Sequence, residues 1–258
     1  MTTVDAILLG AGSGSRFAES GTGHAASLPK QFQPIGDVPV FIHALQSFFQ
    51  LGVFRNYIVV VPKSYLGLAR EQVNAHLTPA QALKIQVIAG GQKRQDSARI
   101  ALNALGKENP PTRVLIHDAC RPFLSAELLR RVSEAIEDRS YAAWIPVIPV
   151  TDTLKRIENQ KVIETVDRNM VHRVQTPQIF EYEVIQSLNE RSADNAELTF
   201  TDDASLCEYY GIPVGTFEGD VRNIKLTYDF ELEPLRRILT EGKGKTICEP
   251  ESDTTSTV

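Results

Sequence analysis

The chain has 258 residues, a net charge of −5 and a hydrophobic content of 42%. This length suffices for one α/β domain that buries its own core, and the acidic balance disfavours a nucleic-acid partner, which would need a basic surface. The three cysteines are far apart and match no metal-binding spacing. With no basic leader and no apolar run of membrane-spanning length, the sequence predicts a cytoplasmic protein without a membrane partner.

Apolar, β-branched runs alternate with helical patterns over the first 150 residues. The predicted strands are Ala6–Leu9, Tyr57–Val61, Ile85–Ile88, Val114–His117 and Ala142–Val147. The predicted helices are Pro39–Leu51, Ser64–Leu77, Asp96–Leu105 and one that Ser125 caps and that runs to Glu137. Because such alternation is typical of βαβ units, we predict an α/β fold with a mostly parallel sheet flanked by helices.

The pattern changes after Val150. Two strand-like segments, Thr153–Ile157 and Val162–Val166, flank a polar turn and predict a hairpin arm. The later elements are predicted as helices near Tyr182–Leu188 and at Asp202–Tyr210, strands at Val214–Phe217 and Ile224–Thr227, and a last helix after Asp229 that Pro234 starts late or kinks. We expect a single domain over residues 1–242, an arm inserted at about residues 149–180, and a disordered tail at 243–258.

A glycine-rich loop follows the first predicted strand and precedes two cations. Gly10, Gly12 and Gly14 let backbone N–H groups approach an anion, because no Cβ stands in the way. The spacing fits neither a Walker A loop nor a dinucleotide fingerprint, and the second predicted strand ends without a ribose-binding acid. With Arg16 and Lys30 as phosphate ligands, the loop favours a nucleotidyltransferase; a strand–helix turn without a ligand is the alternative.

Two further segments lie where predicted strands end. Gly90 and Gly91 would let a planar base approach, with Arg94 near a helix N-terminus to bind sugar or phosphate; a capped turn with a solvated arginine explains them equally well. Asp118 and Arg121 follow a strongly apolar predicted strand, at the edge where open α/β sheets bind ligands. There the carboxylate could hold Mg²⁺ and the arginine a second anionic substrate, with an internal ion pair as the alternative.

The order of these motifs resembles the 2-C-methyl-D-erythritol 4-phosphate cytidylyltransferases of the non-mevalonate isoprenoid pathway. The resemblance extends from about Val4 to Leu239. It also includes Asp152–Thr153, Asp167–Arg168, Gln175–Phe180, Thr201–Ala204 and Asn223–Lys225. It implies a Rossmann-like nucleotidyltransferase fold with a projecting β-hairpin arm. The implied reaction transfers CMP from CTP to 2-C-methyl-D-erythritol 4-phosphate, with Mg²⁺ as the cofactor and pyrophosphate as the leaving group.

The resemblance also implies a role for each matching residue. The implied nucleotide contacts are Gly10, Ala11, Gly12, Gly90, Gly91, Arg94, Ser97 and Ala119. The implied catalytic cations are Arg16, Lys30, Arg168 and Lys225, and the implied polyol-phosphate contacts are Asp118, Arg121, Thr153, Arg168 and Lys225, with Asp118 beside the metal. In this family the arm exchanges between subunits, which implies a homodimer in which Thr153 and Arg168 serve the neighbouring site.

Three alternatives remain at this point. Ribitol-5-phosphate cytidylyltransferases share nearly the same motifs and are the nearest alternative. A nicotinamide-dependent oxidoreductase fits less well because of the glycine spacing and the missing acid, and a non-catalytic nucleotide-binding protein fits less well because all the cations are retained. The segment Phe17–Leu28 is longer than the family pattern, and we expect it to form a lid over the triphosphate.

Overall fold

A computed structural model describes residues 2–12, 14, 17, 19, 28–106, 109–193, 195 and 197–242. Residues 241 and 242 are described by their backbone alone. Within these residues the strands are β1 (Val4–Leu9), β2 (Pro34–Ile35), β3 (Val38–Pro39), β4 (Phe54–Val61), β5 (Ile85–Ala89), β6 (Arg113–Asp118), β7 (Ala143–Pro149), β8 (Leu154–Glu158), β9 (Lys161–Val166), β10 (His172–Val174), β11 (Gln178–Glu181) and β12 (Val214–Glu218). The α-helices are α1 (Val40–Leu51), α2 (Leu66–His76), α3 (Pro79–Ala82), α4 (Arg94–Ala104), α5 (Ala126–Glu137), α6 (Tyr182–Ala193), α7 (Asp203–Tyr209) and α8 (Leu232–Gly242).

Eight strands form the central sheet. The neighbours β5, β4, β1 and β6 run parallel to one another, β11 lies antiparallel between β6 and β7, and β12 runs parallel to β7. The short strand β10 pairs antiparallel with the end of β7. The predicted mostly parallel sheet is therefore confirmed, and the sequence pattern did not reveal the antiparallel insertion of β11.

Helices cover both faces of the sheet because its central strands are apolar on both faces. Leu8 of β1 packs into a cluster that includes residues of α1, α2 and α5, whereas its neighbour Ile7 packs into a cluster with α4, α6 and α7. Successive side chains of a strand point to opposite faces, and all six residues of β1 are buried. A continuous apolar run is thus explained by burial between two helical layers.

Local signals set several helix boundaries as predicted. The helix α1 ends at Gly52, which adopts φ of 70° in the left-handed region that glycine tolerates best. The hydroxyl of Ser125 accepts a hydrogen bond from Leu128 N at 3.2 Å and caps α5. Pro234 lies in the first turn of α8, which starts late, at Leu232.

The strand predicted at Ile224–Thr227 is wrong, because this segment is irregular. Leu226 N donates one hydrogen bond to Cys120 O at 2.8 Å, and the Leu226 side chain is fully buried in a third cluster with Phe17 and Leu235. The apolar residues are thus buried against a loop and α8, and do not pair with a sheet edge.

The predicted hairpin is present, and it pairs with no strand of the central sheet. β8 and β9 are joined by Asn159 and Gln160, both at positive φ, as in the tight turns that suit twisted hairpins. Its apolar side chains Ile157, Val162 and Ile163 are 60%, 53% and 42% exposed. Within the described ranges, no helix has the length and apolar character needed to span a bilayer. The predicted tail at 243–258 lies outside the described residues, as does most of the predicted lid.

Candidate active site

A cavity of about 250 Å³ opens where β1, β5 and β6 end. Its lining includes most of the residues predicted to contact a nucleotide: Gly10, Ala11, Gly12, Gly91, Arg94 and Ser97. Lys30, Asp118 and Lys225 line the same cavity. Segments that are more than 200 residues apart in the sequence therefore meet at the predicted edge of the sheet.

The two remaining predicted nucleotide contacts, Gly90 and Ala119, do not line the cavity but pack against residues that do. A Cβ on Gly90 would lie 2.3 Å from Ala11 Cβ and 2.7 Å from Ser97 Oγ, so the two loops touch only because residue 90 is glycine. Ala119 is buried, and its Cβ would lie 3.1 Å from a Cβ on Gly10. Small residues are therefore needed at positions 90 and 119 because the loops pack closely there. This packing fixes the position of the loops.

Lys30 reaches the cavity from a short 3₁₀ turn at Lys30–Phe32. The adjacent side chain of Gln31 is buried, and its amide donates a hydrogen bond to Gly10 O. This bond ties the lysine-bearing turn to the glycine loop, a role that sequence reasoning did not assign. Arg16, predicted beside Lys30, lies outside the described residues.

Asp118 ends β6 and is surrounded by three cations. Its Oδ2 lies 2.7 Å from Lys225 Nζ and 3.8 Å from Arg121 Nε, and its Oδ1 lies 3.6 Å from Arg94 Nε. Burial raises the pKa of this carboxyl, but Lys225, Arg94 and Arg121 together hold the pKa well below its ordinary value. Asp118 is therefore an anion at neutral pH, and the ion pair with Arg121, which the sequence left open as the alternative, exists within a larger network.

A second cavity, of about 400 Å³, shares Arg94, Asp118 and Lys225 with the first. It adds the Arg121 side chain, whose Nη1 donates to Asn223 O at 2.7 Å, and the side chains of Thr176 and Gln178. The ion network is thus a wall between two cavities. This arrangement can hold one anionic substrate on each side of the same cations.

Thr153 and Arg168 do not reach this site within the chain. Neither residue lines either cavity, and Arg168 Nη1 donates to Thr151 O at 2.8 Å beside the hairpin. Both side chains are exposed. Their predicted role in substrate binding therefore requires a second subunit and stays a prediction.

The donor set is compatible with a magnesium ion held mainly by a substrate. Within the part of the chain that is described, no group of three His, Cys, Asp or Glu side chains could hold a metal. Asp118 offers a single carboxylate to the first cavity, and Lys225 already pairs with it. Mg²⁺ is commonly held by one or two carboxylates with phosphate oxygens and water completing its shell, so Asp118 as a metal ligand stays a prediction.

A buried histidine supports the turn that carries Asp118. His117 is fully buried, with Nδ1 2.9 Å from Thr176 Oγ1 and Nε2 3.0 Å from Arg121 O. Since a carbonyl only accepts, Nε2 carries the proton, and Thr176 donates its hydroxyl to Nδ1 while accepting from Asp118 N at 3.1 Å. Sequence reasoning placed His117 at the end of a predicted strand and Thr176 in the segment Gln175–Phe180, but gave neither side chain a role.

The family model for 2-C-methyl-D-erythritol 4-phosphate cytidylyltransferase (IspD) matches residues 4–241. The chain belongs to this family. The predicted membership is confirmed, and so is the predicted fold, because similar solved structures share it. One is 4-diphosphocytidyl-2C-methyl-D-erythritol synthase of Anaerococcus prevotii, with a TM-score of 0.75 and 26% identity over 93% of this chain and 99% of that one.

Other IspD relatives agree with this assignment. The 2-C-methyl-D-erythritol 4-phosphate cytidylyltransferase of Thermus thermophilus has a TM-score of 0.70 and 26% identity, over 93% of this chain and all of that one. The bifunctional enzyme IspD/IspF of Bartonella bacilliformis is 36% identical over 93% of this chain and 57% of its own length. The chain thus spans little more than half of the curated relatives it matches.

We expect Gly90→Ala to weaken CTP binding, because its Cβ would overlap Ala11 and Ser97 and separate the two loops. Overpacking of this kind costs about 1–3 kcal/mol of folding stability. Because the separated loops no longer surround the phosphates, the CTP affinity measured by calorimetry should fall at least about tenfold. Gly67→Ala is the control, since a Cβ on this α2 residue meets nothing within 4 Å. A natively folded Gly90→Ala protein with unchanged CTP affinity would contradict the packing argument.

We expect His117 to make folding stability fall as the pH is lowered from about 6.5 to 4. Burial lowers the pKa of His117 to about 4 from an ordinary 6.5, so the unfolded chain binds a proton that the folded protein excludes. The stability lost is about 3 kcal/mol, measured by urea unfolding across this range. His117→Gln removes the titrating group, and an equally steep pH dependence in that variant would contradict the assignment.

Proposed function

We propose that this protein transfers CMP from CTP to 2-C-methyl-D-erythritol 4-phosphate, giving 4-diphosphocytidyl-2-C-methyl-D-erythritol and pyrophosphate. The observation that carries the proposal is the wall of Arg94, Asp118 and Lys225 between two cavities, in a chain of the IspD family. Two anionic substrates can meet across this wall. The nicotinamide-dependent and non-catalytic alternatives lack such an observation.

CTP would occupy the first cavity. The glycine loop supplies backbone N–H groups to its phosphates, and Lys30 supplies a mobile cation on the same side. Gly91 and Ser97, where β5 gives way to α4, would border the cytidine. Arg16 is proposed beside Lys30 on the sequence resemblance alone.

The polyol phosphate would occupy the second cavity. Arg121 and Lys225 line it and bring positive charge toward the wall, and Asp118 can accept hydrogen bonds from hydroxyl groups. An arginine fork also matches the geometry of a phosphate group. This placement brings the phosphate monoester and the phosphates of CTP to the same three side chains, Arg94, Asp118 and Lys225.

The residues act by positioning and charge. An oxygen of the phosphate monoester attacks the α-phosphorus of CTP, forming one P–O bond as the bond to the β-phosphate breaks and pyrophosphate leaves. The nucleophile is already anionic at neutral pH, because the second pKa of a phosphate monoester is about 6, so no general base is required. Lys30, Arg121 and Lys225 reduce the repulsion between the two substrates. Bound near Asp118, Mg²⁺ would neutralise further phosphate charge.

The protein is proposed to act as a homodimer through its arm. The hairpin exposes Ile157, Val162 and Ile163, and a second copy could cover this apolar surface. The same arrangement would carry Thr153 and Arg168 to the neighbouring second cavity, which they do not reach in their own chain. The proposed compartment is the cytoplasm, in keeping with Cys120 and Cys207, which are buried free thiols.

The reaction is tested by pyrophosphate release from CTP and Mg²⁺, with 2-C-methyl-D-erythritol 4-phosphate and ribitol 5-phosphate offered separately. We expect release with the first substrate, and Lys30→Ala should lower turnover about 10²–10³-fold because one phosphate-binding cation is lost. Lys63→Ala removes an exposed charge that lines neither cavity and should keep wild-type turnover. Release with ribitol 5-phosphate alone would refute the proposed substrate and keep the mechanism, whereas an active Lys30→Ala enzyme would refute the mechanism.

Shared sites are tested by mixing two inactive variants, Lys30→Ala and Arg168→Ala. A mixed dimer contains one site with both wild-type residues, so an equal mixture should recover about a quarter of wild-type activity after subunit exchange. Distinct affinity tags on the two variants establish that exchange has occurred. A mixture that exchanges subunits and stays inactive would mean that Lys30 and Arg168 do not serve one site from two chains.

A further inference from the structure

We propose that Asp203 is a positioning residue that holds Arg94 in the wall between the two cavities. The inference rests on the proposed function, because it concerns how the CTP site is kept in shape. Arg94 begins α4 and Asp203 begins α7, and Arg94 Nη2 lies 2.8 Å from Asp203 Oδ2. The Asp203 side chain is only 4% exposed and lines neither cavity. It therefore contacts neither cavity directly, and its ion pair with Arg94 is its link to the wall.

The position of Asp203 is fixed by hydrogen bonds between its neighbours in the chain and the central sheet. Gln178, fully buried in β11, donates to Asp202 Oδ2 at 2.6 Å and accepts from Ala204 N at 3.2 Å. Asp202 in turn caps α7 by accepting from Ser205 N at 3.0 Å. These bonds attach the first turn of α7 to the central sheet, so the carboxylate of Asp203 is a rigid support.

Arg94 needs such a support because it lies between two carboxylates. Its Nη2 meets Asp203 at 2.8 Å, whereas its Nε is 3.6 Å from Asp118. Without the charge of Asp203, the guanidinium would be drawn toward Asp118 and would compete there with Lys225. Both cavities would then change shape, and CTP would lose the cation that borders its site.

A second buried ion pair in the chain matches the Asp203–Arg94 pair and serves as a control. It distinguishes an effect on the position of Arg94 from a general loss of folding stability. Asp5 and Arg55 also lie 2.8 Å apart, and their side chains are 3% and 26% exposed, compared with 4% and 26% for Asp203 and Arg94. This pair lies at the start of β1 and β4, at the opposite end of the strands from the cavities. Asp5→Asn should therefore lower stability as Asp203→Asn does, without affecting the site.

The test measures CTP binding by calorimetry, and KM and kcat by pyrophosphate release. We expect Asp203→Asn to raise the Kd and KM for CTP at least about tenfold, whereas Asp5→Asn should change them less than about twofold. Equal effects of the two variants, or an unchanged Kd in Asp203→Asn, would overturn the inference while the proposed function stands. A wild-type protein that binds no CTP would overturn both.

A double-mutant cycle shows whether Asp203 acts through Arg94. In an Arg94→Gln background, adding Asp203→Asn should change the Kd for CTP less than about twofold, because the supported side chain is already gone. If Asp203→Asn alone fails to fold, Asp203→Glu takes its place as the single variant and in the cycle, because it keeps the charge and displaces the carboxylate from Arg94. A further tenfold loss in the Arg94→Gln background would mean that Asp203 acts independently, and the inference would be wrong.

Discussion

The ion pair between Asp118 and Lys225, at 2.7 Å, joins the core of the sheet to both cavities. Burying a carboxylate is costly unless cations compensate it, and Asp118 ends a strand whose six residues are all buried. Arg94 and Arg121 complete the compensation. The same side chains that stabilise the buried charge therefore form the cationic wall, so the shape of the site and the burial of the end of β6 depend on the same ion pairs.

Backbone packing sets the shape of the nucleotide cavity as firmly as charge does. The loops after β1 and β5 touch through Gly90, Ala11 and Ser97, at distances that leave no room for a Cβ at residue 90. Gly12, by contrast, has nothing within 4 Å of its would-be Cβ. The glycines thus differ in purpose, because Gly90 permits the contact between loops and Gly12 leaves space beside the cavity.

Local patterns predicted most of the longer strands and helices, and the sheet edge at which the candidate site lies, because periodicity and capping act over a few residues. They failed where distant segments decide the outcome. Ile224–Thr227 has the composition of a strand, but its apolar residues are buried by Phe17 and α8. The bond between His117 and Thr176 and the pair between Arg94 and Asp203 join residues 59 and 109 positions apart. No local spacing predicts such contacts, although each residue lay in a motif that the sequence singled out.

The site is cationic within a chain whose net charge is −5. The two buried carboxylates of Asp118 and Asp203 explain how several cations can lie close together there. Lys30, Arg94, Arg121 and Lys225 would repel one another if they converged alone on two cavities. Asp118 and Asp203 hold three of them at fixed distances before any phosphate arrives, while leaving an excess of positive charge. Preorganised charge of this kind avoids the cost of reorganisation when the reaction occurs. Asp118 and Asp203 therefore stabilise the cationic site when no substrate is bound.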